Sequence, residues 1–477
     1  MNTFPLVVDL DGTLIYTDML HESTIKLLSN NPFNTLKIPY WLSKGKAVLK
    51  GKLAVRTELD PATLPYNKKL LEWLEEQRKT GRKLILCTAS HTTIATTISN
   101  YLGIFDEVMA SDGKINLSGS RKANVLSTRF GQAGFDYVGN SPTDIAVWKC
   151  ARRAIVVNAS ADLAKKASRH CAVEEIFPSP ARTIRTYGRV LRVHQWLKNA
   201  LLFIPIFAAH QLTNPETWMT LFFAFCSFSL CASSVYICND LMDLENDRQH
   251  PRKHKRPFAS GIVPIWVGMV LAPLLLLTSL GLATLVNSLF ITCLAFYFIL
   301  TCAYSWGLKR LILVDCLTLA ILYTVRIIAG AAAANMSLSF WLLAFSGFFF
   351  LSLAFVKRYA ELELQLHSGK QKVHGRGYYT SDASLIQTLG ITSGYAAVLL
   401  LALYLNSDAV LKLYKTVEFI WVAVPILLFW VSWMWMQAHR GNMHDDPLVF
   451  AVKDRGSLLA GILFSAVLVI GTIGWPW

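Results

Sequence analysis

Three aspartates, Asp240, Asp243 and Asp247, stand at i, i+3 and i+7 in the stretch Asn239–Gly261, which reads NDLMDLENDRQHPRKHKRPFASG. On an α-helix that spacing puts all three on one face. Five cations follow at once: Arg248, Arg252, Lys253, Lys255 and Arg256. Acids with cations beside them suit a divalent metal that holds a phosphorylated substrate. The run before them, roughly Trp218 to Cys238, is almost wholly apolar and long enough to cross a bilayer, so the acids are expected at a membrane surface. A second pair of acids, Asp9 and Asp11, lies in DLDGTL directly after a short apolar run. A carboxylate at a strand's end can attack phosphorus, and another two residues on can hand the leaving group a proton. Gly12 lets the backbone turn sharply and leaves amides free for a phosphate.

The elements that must position these acids fall into two parts. A chain of 477 residues that is 53% hydrophobic and only 16% charged is too apolar for an ordinary soluble protein and points to a membrane protein. Its net charge of +15 does not indicate nucleic acid, because the cations sit mostly in short loops between apolar runs. The nine cysteines are scattered and form no CxxC pair, so neither a zinc site nor a disulfide frame is indicated. Asp9 and Asp11 interrupt the first apolar run, which argues against a signal peptide and keeps the first domain in the cytoplasm.

Residues 1–175 read as an α/β domain with strands predicted at Phe4–Leu10, Lys83–Thr88, Glu107–Ala110, Asp136–Gly139 and Ala154–Asn158. A helical insert at about 15–70 separates the first two. DLDGTL after an apolar strand resembles the opening signature of the haloacid dehalogenase-like (HAD) phosphatases. Other pieces fall in that family's order. The resemblance makes Asp9 the nucleophile, Asp11 the acid, Thr88 the phosphate-binding hydroxyl and Lys122 the neutralising lysine. It makes Asn140 and Asp144, in GNSPTD, part of a Mg²⁺ site with Asp9 and Asp11. The family often has an acid where this chain has Asn140, which implies weaker metal binding. The insert would be the cap that selects the substrate.

Residues 176–196 form a basic juxtamembrane linker. Pro178 and Pro180 break the chain, and Arg182, Arg185, Arg189 and Arg192 recur at helical spacing, a stripe suited to anionic headgroups. From 197 to 477 about nine membrane spans are expected, at 197–212, 217–238, 262–282, 284–304, 312–334, 338–356, 385–405, 417–436 and 457–474. Loops after the even-numbered spans carry Arg248 to Arg256, Lys309, Arg310, Lys357, Arg358, Lys370, Lys372, Arg376, Arg440, Lys453 and Arg455. The opposite side has little beyond Lys412 and Lys415. This asymmetry predicts a multi-pass protein of the inner (plasma) membrane, with every polar motif facing the cytoplasm.

Nine spans with NDxxDxxxD after the second resemble the UbiA superfamily of intramembrane prenyltransferases, and so imply an all-α polytopic membrane domain. Ordinary members carry a second motif, DxxxD; here Asp315 is followed four residues later by Leu319. Arg326 lies eleven residues beyond Asp315 on the same face, about 16 Å deeper by helical rise. A buried arginine at that depth is a functional candidate. With Lys198-Asn199, Tyr304, Lys309, Lys357-Arg358 and the segment Asp446 to Asp454, the pattern resembles the polyprenyl-phosphate phosphoribosyltransferases of the decaprenylphosphoryl-5-phosphoribose synthase type. That resemblance implies phosphoribosyl pyrophosphate (PRPP) and a polyprenyl phosphate as substrates, membrane lipid as surroundings, and one Mg²⁺ at each active site. Asp240, Asp243 and Asp247 would hold the metal on the pyrophosphate, beside Asn239. Lys253, Lys255 and Arg256 would hold the phosphates. Lys198, Arg326, Lys357 and Arg358 would hold the ribose phosphate or the lipid phosphate, and Tyr304, Lys309 and Asp315 are further substrate-binding candidates. The first domain would remove the product's 5-phosphate. Two rival readings are an ordinary prenyltransferase acting on an aromatic acceptor, and a transporter or scaffold with a regulatory HAD domain. A homo-oligomer is left open.

Overall fold

The computed structural model describes residues 4–112, 115–367, 376–407, 410, 414–443 and 446–474. Lys370, Lys372 and Lys412 lie outside the described residues. The chain forms two compact units. One comprises Met1–Leu191 with Tyr236–Ala272, and the other Arg192–Val235 with Pro273–Trp477.

The first unit is built on six parallel strands: β1 (Leu6–Val8), β2 (Leu84–His91), β3 (Glu107–Ser111), β4 (Asp136–Gly139), β5 (Arg153–Ala159) and β6 (Ala172–Pro178). Their order is β3-β2-β1-β4-β5-β6. Leu6, Val7 and Val8 are completely buried, as a parallel strand covered on both faces requires. The chain leaves β1 between β2 and β4, where the strand order reverses. Ligands bind such sheets outside the strand C-termini at that switch point, and Asp9 follows β1 there.

The connection from β1 to β2 is helical as expected: α1 (Met19–Asn30), a 3₁₀ turn (Pro32–Lys37), α2 (Ile38–Ser43), α3 (Lys46–Ala54) and α4 (Lys68–Lys79). Asp18 caps α1 by accepting the Leu20 N–H at 2.8 Å. A small separate core of Leu27, Trp41, Leu49 and Leu53 holds α1 to α3 together. The remaining helices of the sheet domain are α5 (Thr92–Leu102), α6 (Ser120–Phe130), α7 (Ile145–Trp148) and α8 (Ala161–Ser168).

Two expectations are corrected here. β6 crosses residue 175, where the first domain was expected to end. The basic stripe is also broken, because the helix α9 covers only Ile184–Val190. Arg182 donates from Nε to the Ile262 carbonyl at 3.0 Å, and Arg189 from Nη2 to the Lys255 carbonyl at 2.7 Å. Two of the four guanidinium groups thus tie backbone in the same unit.

Among the described residues eight helices are long and apolar enough to cross a membrane. They are α11 (Pro215–Met242), α13 (Ile265–Ala283), α14 (Ser288–Trp306), α15 (Val314–Ala333), α16 (Phe340–His367), α17 (Ala383–Leu405, with the turn before it), α18 (Ala423–His439, with the turn before it) and α20 (Arg455–Ile473). The short helix α10 (Ile204–Ala208) precedes them, and α12 (Leu244–Gln249) and α19 (Pro447–Ala451) lie between them. The span expected at 197–212 is not a long α-helix. It is a 3₁₀ helix, Val193–Phe203, running into α10. Pro205 has no amide to continue an earlier ladder.

Candidate functional site

At the end of β1, Asp9 lies 2.8 Å from Lys122 Nζ, which α6 carries in. Lys122 also bonds the Tyr137 hydroxyl at 2.9 Å, and that hydroxyl donates to Asp144 Oδ1 at 2.9 Å. Asp144 Oδ2 accepts the Asn140 and Ser141 N–H groups at 3.0 and 2.9 Å, which closes the GNSPTD loop. Asp11 accepts the Met19 N–H at 2.8 Å through Oδ1, and the Ser90 hydroxyl at 2.6 Å through Oδ2. The Thr88 hydroxyl sits 3.3 Å from Asp11 and accepts the Ser90 N–H. Gly12 has φ +72°, and a Cβ there would lie 2.2 Å from Asn140 Nδ2. All six residues expected at this site are therefore gathered around one strand end.

The electrostatics follow from burial. Desolvation pushes the Asp9 carboxyl up to about 7; Asp144 and Asp11 push the same way, and Lys122 opposes them. Burial likewise raises Asp11, with Asp18 adding to it. Lys122 is held above the ordinary lysine range: burial alone would lower it, but Asp9 and its other anionic neighbours win. Three contributors escaped the sequence reading. Ser90 sits two residues beyond Thr88, past the predicted end of that strand, and Tyr137 two residues before Gly139, inside a run that reads simply as strand. Lys50, from α3, donates to the Ala89 carbonyl at 2.7 Å.

The acid motif 239–261 belongs to the same compact unit. It is not one helix. α11 ends at Met242, Asp243 adopts φ −97° and ψ 15°, and α12 restarts at Leu244. The i→i−4 bonds nonetheless persist, from Asp243 N to Asn239 O at 3.0 Å and from Asp247 N to Asp243 O at 2.8 Å. Asp240 and Asp247 are both buried and converge on one nitrogen: Arg256 Nη1 is 3.0 Å from Asp240 and 2.5 Å from Asp247. Burial raises the Asp247 carboxyl, while Arg256 opposes that rise. Among the described residues no three acids, histidines or cysteines already form a metal cage. Lys253 and Lys255 are exposed, on a short 3₁₀ turn.

α12 is fixed from its other side. Arg248 meets Glu22 of α1 with Nη2–Oε1 2.5 Å and Nη1–Oε2 3.2 Å, and both side chains are almost fully buried. Lys26, one turn along α1, pairs with Glu245. Gly261, at φ +73°, packs so closely on Tyr16 that a Cβ would come within 2.4 Å of it.

In the second unit the expected cations fall into two groups. Lys198 Nζ bonds Asp446 at 2.7 Å, Lys357 Nζ lies 3.4 Å from the same oxygen, and the Tyr323 hydroxyl donates to it at 2.9 Å. Asp446 is held well below the usual carboxylate range: burial would raise it, but Lys198 and Lys357 outweigh burial. Arg326 does not pair with Asp315. Its Nε bonds Asn199 Oδ1 at 2.9 Å, its Nη2 bonds the Tyr297 hydroxyl at 3.1 Å, and its Nη1 meets the Leu322 carbonyl. The rings of Tyr297, Phe228 and Tyr323 stand 4.8, 5.5 and 5.7 Å from the guanidinium. Neutral partners and aromatic faces thus hold this buried cation. Gly330, one turn further on, lets α15 approach so closely that a Cβ would sit 2.0 Å from the Leu202 carbonyl.

Asp315 belongs to the other group. It is fully buried, 2.5 Å from Arg358 Nη2 and 2.5 Å from the Tyr378 hydroxyl. Arg358 also meets Glu361, and Arg376 reaches the Tyr304 hydroxyl at 3.0 Å. Lys309 lies beside this group in sequence, on the turn Leu308–Arg310. Asp315 and Arg358 thus neutralise one another. Asp446, which binds two of the expected cations, was read only as part of a polar segment. Its pairing with Lys198 spans 248 positions, too far apart for any local pattern to show.

The family model for the UbiA prenyltransferase family matches residues 200–458, and the chain belongs to that family. It is an integral membrane protein. The uncharacterized protein y4nM of Sinorhizobium fredii is 35% identical over 98% of this chain and 90% of its own length. A decaprenyl-phosphate phosphoribosyltransferase of Mycolicibacterium smegmatis is 32% identical over 62% of this chain and 93% of its own. Among solved structures, a UbiA homolog from Archaeoglobus fulgidus bound to GPP and Mg2+ covers 60% of this chain and 99% of its own at 16% identity, with a TM-score of 0.46.

Proposed function

We propose that this protein transfers 5-phosphoribose from PRPP to a polyprenyl phosphate at the cytoplasmic face of the inner membrane, and that its first domain is a HAD-like phosphatase that removes the 5-phosphate of the product. The observation that carries the first step is the convergence of Asp240 and Asp247 on a single cationic nitrogen, in a chain homologous to decaprenyl-phosphate phosphoribosyltransferases. Two buried carboxylates that already share one cation fit a divalent metal, with Asp243 at the bend between them. When bound, Mg²⁺ would supply charge neutralisation for a departing pyrophosphate.

The chain's own residues do the rest. Asp240, Asp243 and Asp247, with Asn239, fix the position of the pyrophosphate. Lys253, Lys255 and Arg256 offset its charge, and Arg256 moves off the acids as it does so. Lys198, Lys357 and Arg326 bind and orient the other phosphates. Tyr304, Lys309, Asp315 and Arg358 keep that surface rigid and basic. An oxygen of the lipid phosphate attacks the anomeric carbon. The bond from that carbon to pyrophosphate breaks, and its electron pair leaves with pyrophosphate. The nucleophile is already an anion, so no general base is required.

In the first domain Asp9 attacks the phosphorus of the 5-phosphate, the phosphorus–oxygen bond to ribose breaks, and Asp11 protonates the leaving ribose oxygen; water, giving a proton back to Asp11, then cleaves the phosphoryl group from Asp9 as free phosphate. Lys122 balances the charge, and Thr88 bonds the phosphate. Asp9, Asp11, Asn140 and Asp144 would hold Mg²⁺ there. Support comes from the burial of Asp9 beside Lys122, with Asp144 and Asp11 adding to the desolvation that lifts its carboxyl, a cost that a divalent cation would offset. Tethering the two activities would raise the effective concentration of the second substrate.

Membranes holding the protein, incubated with labelled PRPP or labelled prenyl diphosphate, test the reading. Label should pass from PRPP into lipid, and Asp243→Asn should abolish it. Transfer from prenyl diphosphate to an aromatic acceptor instead would mark an ordinary prenyltransferase. Transfer of neither label, by the parent or by Asp243→Asn, would mark a transporter or scaffold.

A further inference from the structure

The insert between β1 and β2 turns a greasy, basic surface outward. Its own core takes Leu27, Trp41, Leu49 and Leu53. Left outside are Phe33 and Leu36 on the 3₁₀ turn and Tyr40 on α2, exposed by 78%, 77% and 59%. Positions three apart eclipse in a 3₁₀ helix, so Phe33 and Leu36 point the same way. Leu42 and Val55 are exposed as well. A folded soluble domain rarely leaves so many large apolar side chains grouped in water.

The charges around them have one sign. From Ser23 to Thr57 there is no aspartate or glutamate. Lys37, Lys44, Lys46, Lys52 and Arg56 are all exposed. Lys44 lies over the Tyr40 ring at 4.4 Å. An aromatic and aliphatic tip ringed by lysines matches the chemistry of an anionic bilayer surface: the apolar groups enter the headgroup boundary and the cations meet lipid phosphates. A protein partner would need acids to match, and the chain that carries this insert is already held in a membrane by its long apolar helices.

We propose that the insert docks on the anionic leaflet through Phe33, Leu36 and Tyr40, so that the phosphatase site can take a phosphate monoester borne on a lipid. The docking stands on the surface itself. Its use in presenting the lipid product rests on the phosphatase reading above.

The test uses the full chain in nanodiscs, with an environment-sensitive fluorescent amino acid placed at Leu36 or, for reference, at the exposed Glu75 of α4. Headgroup-level doxyl lipid should quench the probe at 36 at least about fivefold more than the probe at 75 in phosphatidylglycerol discs, and this excess should shrink in purely zwitterionic discs. Equal quenching at both positions overturns the docking. So does a probe at 36 that is shielded without quenching and responds to protein concentration, which would make a second copy the occupant. A combined Phe33→Ser, Leu36→Ser and Tyr40→Ser variant should hydrolyse a soluble phosphate monoester as the parent does, while losing about tenfold on a vesicle-borne one. If the parent hydrolyses neither substrate, the phosphatase reading falls and the quenching result still decides the docking.

Discussion

Glu22→Ala strikes the contact that fixes the acid motif to the first domain. Glu22 and Arg248 are nearly inaccessible, at 3% and 5% side-chain exposure, and meet through two nitrogen–oxygen contacts. Removing the glutamate leaves, among the described residues, a buried guanidinium with the Ala259 carbonyl 3.0 Å from its Nε. Breaking a buried pair from one side costs about 3–5 kcal/mol. Arg248 sits beside Asp247 on a six-residue helix, which can respond by opening locally rather than by unfolding the whole unit. A cost of about 3 kcal/mol is roughly a hundredfold in the opening equilibrium, and amide exchange across 244–249 should speed by that factor. Exchange in β1 and β2 should stay within about threefold of the parent. Pairing Glu22→Ala with Arg248→Met removes the stranded charge and should restore most of the protection. If exchange across α12 in the single variant changes less than about threefold, the pair does not hold the motif, and the reasoning from burial fails.

Gly12→Ala should abolish phosphatase turnover, because a Cβ would strike Asn140 Nδ2 at 2.2 Å and the φ of +72° disfavours any side chain; steady-state hydrolysis of a soluble monoester reads it. Asp446→Asn removes the anion that Lys198 and Lys357 share, so the lipid-phosphate KM should change by about tenfold or more, measured with PRPP saturating. Arg326→Lys keeps the charge but cannot reproduce donation to both Asn199 and Tyr297; transfer should fall by about tenfold to a hundredfold while the protein still purifies as a folded species.

Much of the first domain could be read from its residues, because its signals are local. Apolar runs ending in DLDGTL and LILCTAS gave strands within a few residues of β1 and β2. β6 escaped because it is an edge strand with Glu174 and Glu175 in it, so its pattern reads as linker. The acids' helical spacing was visible, but their use of Arg256 and the break at Asp243 were not: a bend within hydrogen-bonding helix carries no composition cue. The joining of 236–272 to the first domain rests on pairs such as Glu22–Arg248, 226 positions apart, which no window of sequence samples. Arg326 was visible as a buried cation, but its neutral partners come from 3₁₀ and helical segments far away in the chain. The segment 197–212 is a 3₁₀ helix and a short α-helix where a long α-helical span is expected, since composition alone does not separate 3₁₀ from α.

The most direct measurement of the central claim is mass spectrometry of the lipids formed when the purified full chain meets PRPP, a polyprenyl phosphate and Mg²⁺. The account predicts a polyprenyl-phosphate-linked ribose. It should keep its 5-phosphate in an Asp9→Asn variant and lose it in the parent, and neither lipid should form after Asp243→Asn or chelation. A polyprenyl phosphate recovered unchanged from the parent, with PRPP intact, would contradict it.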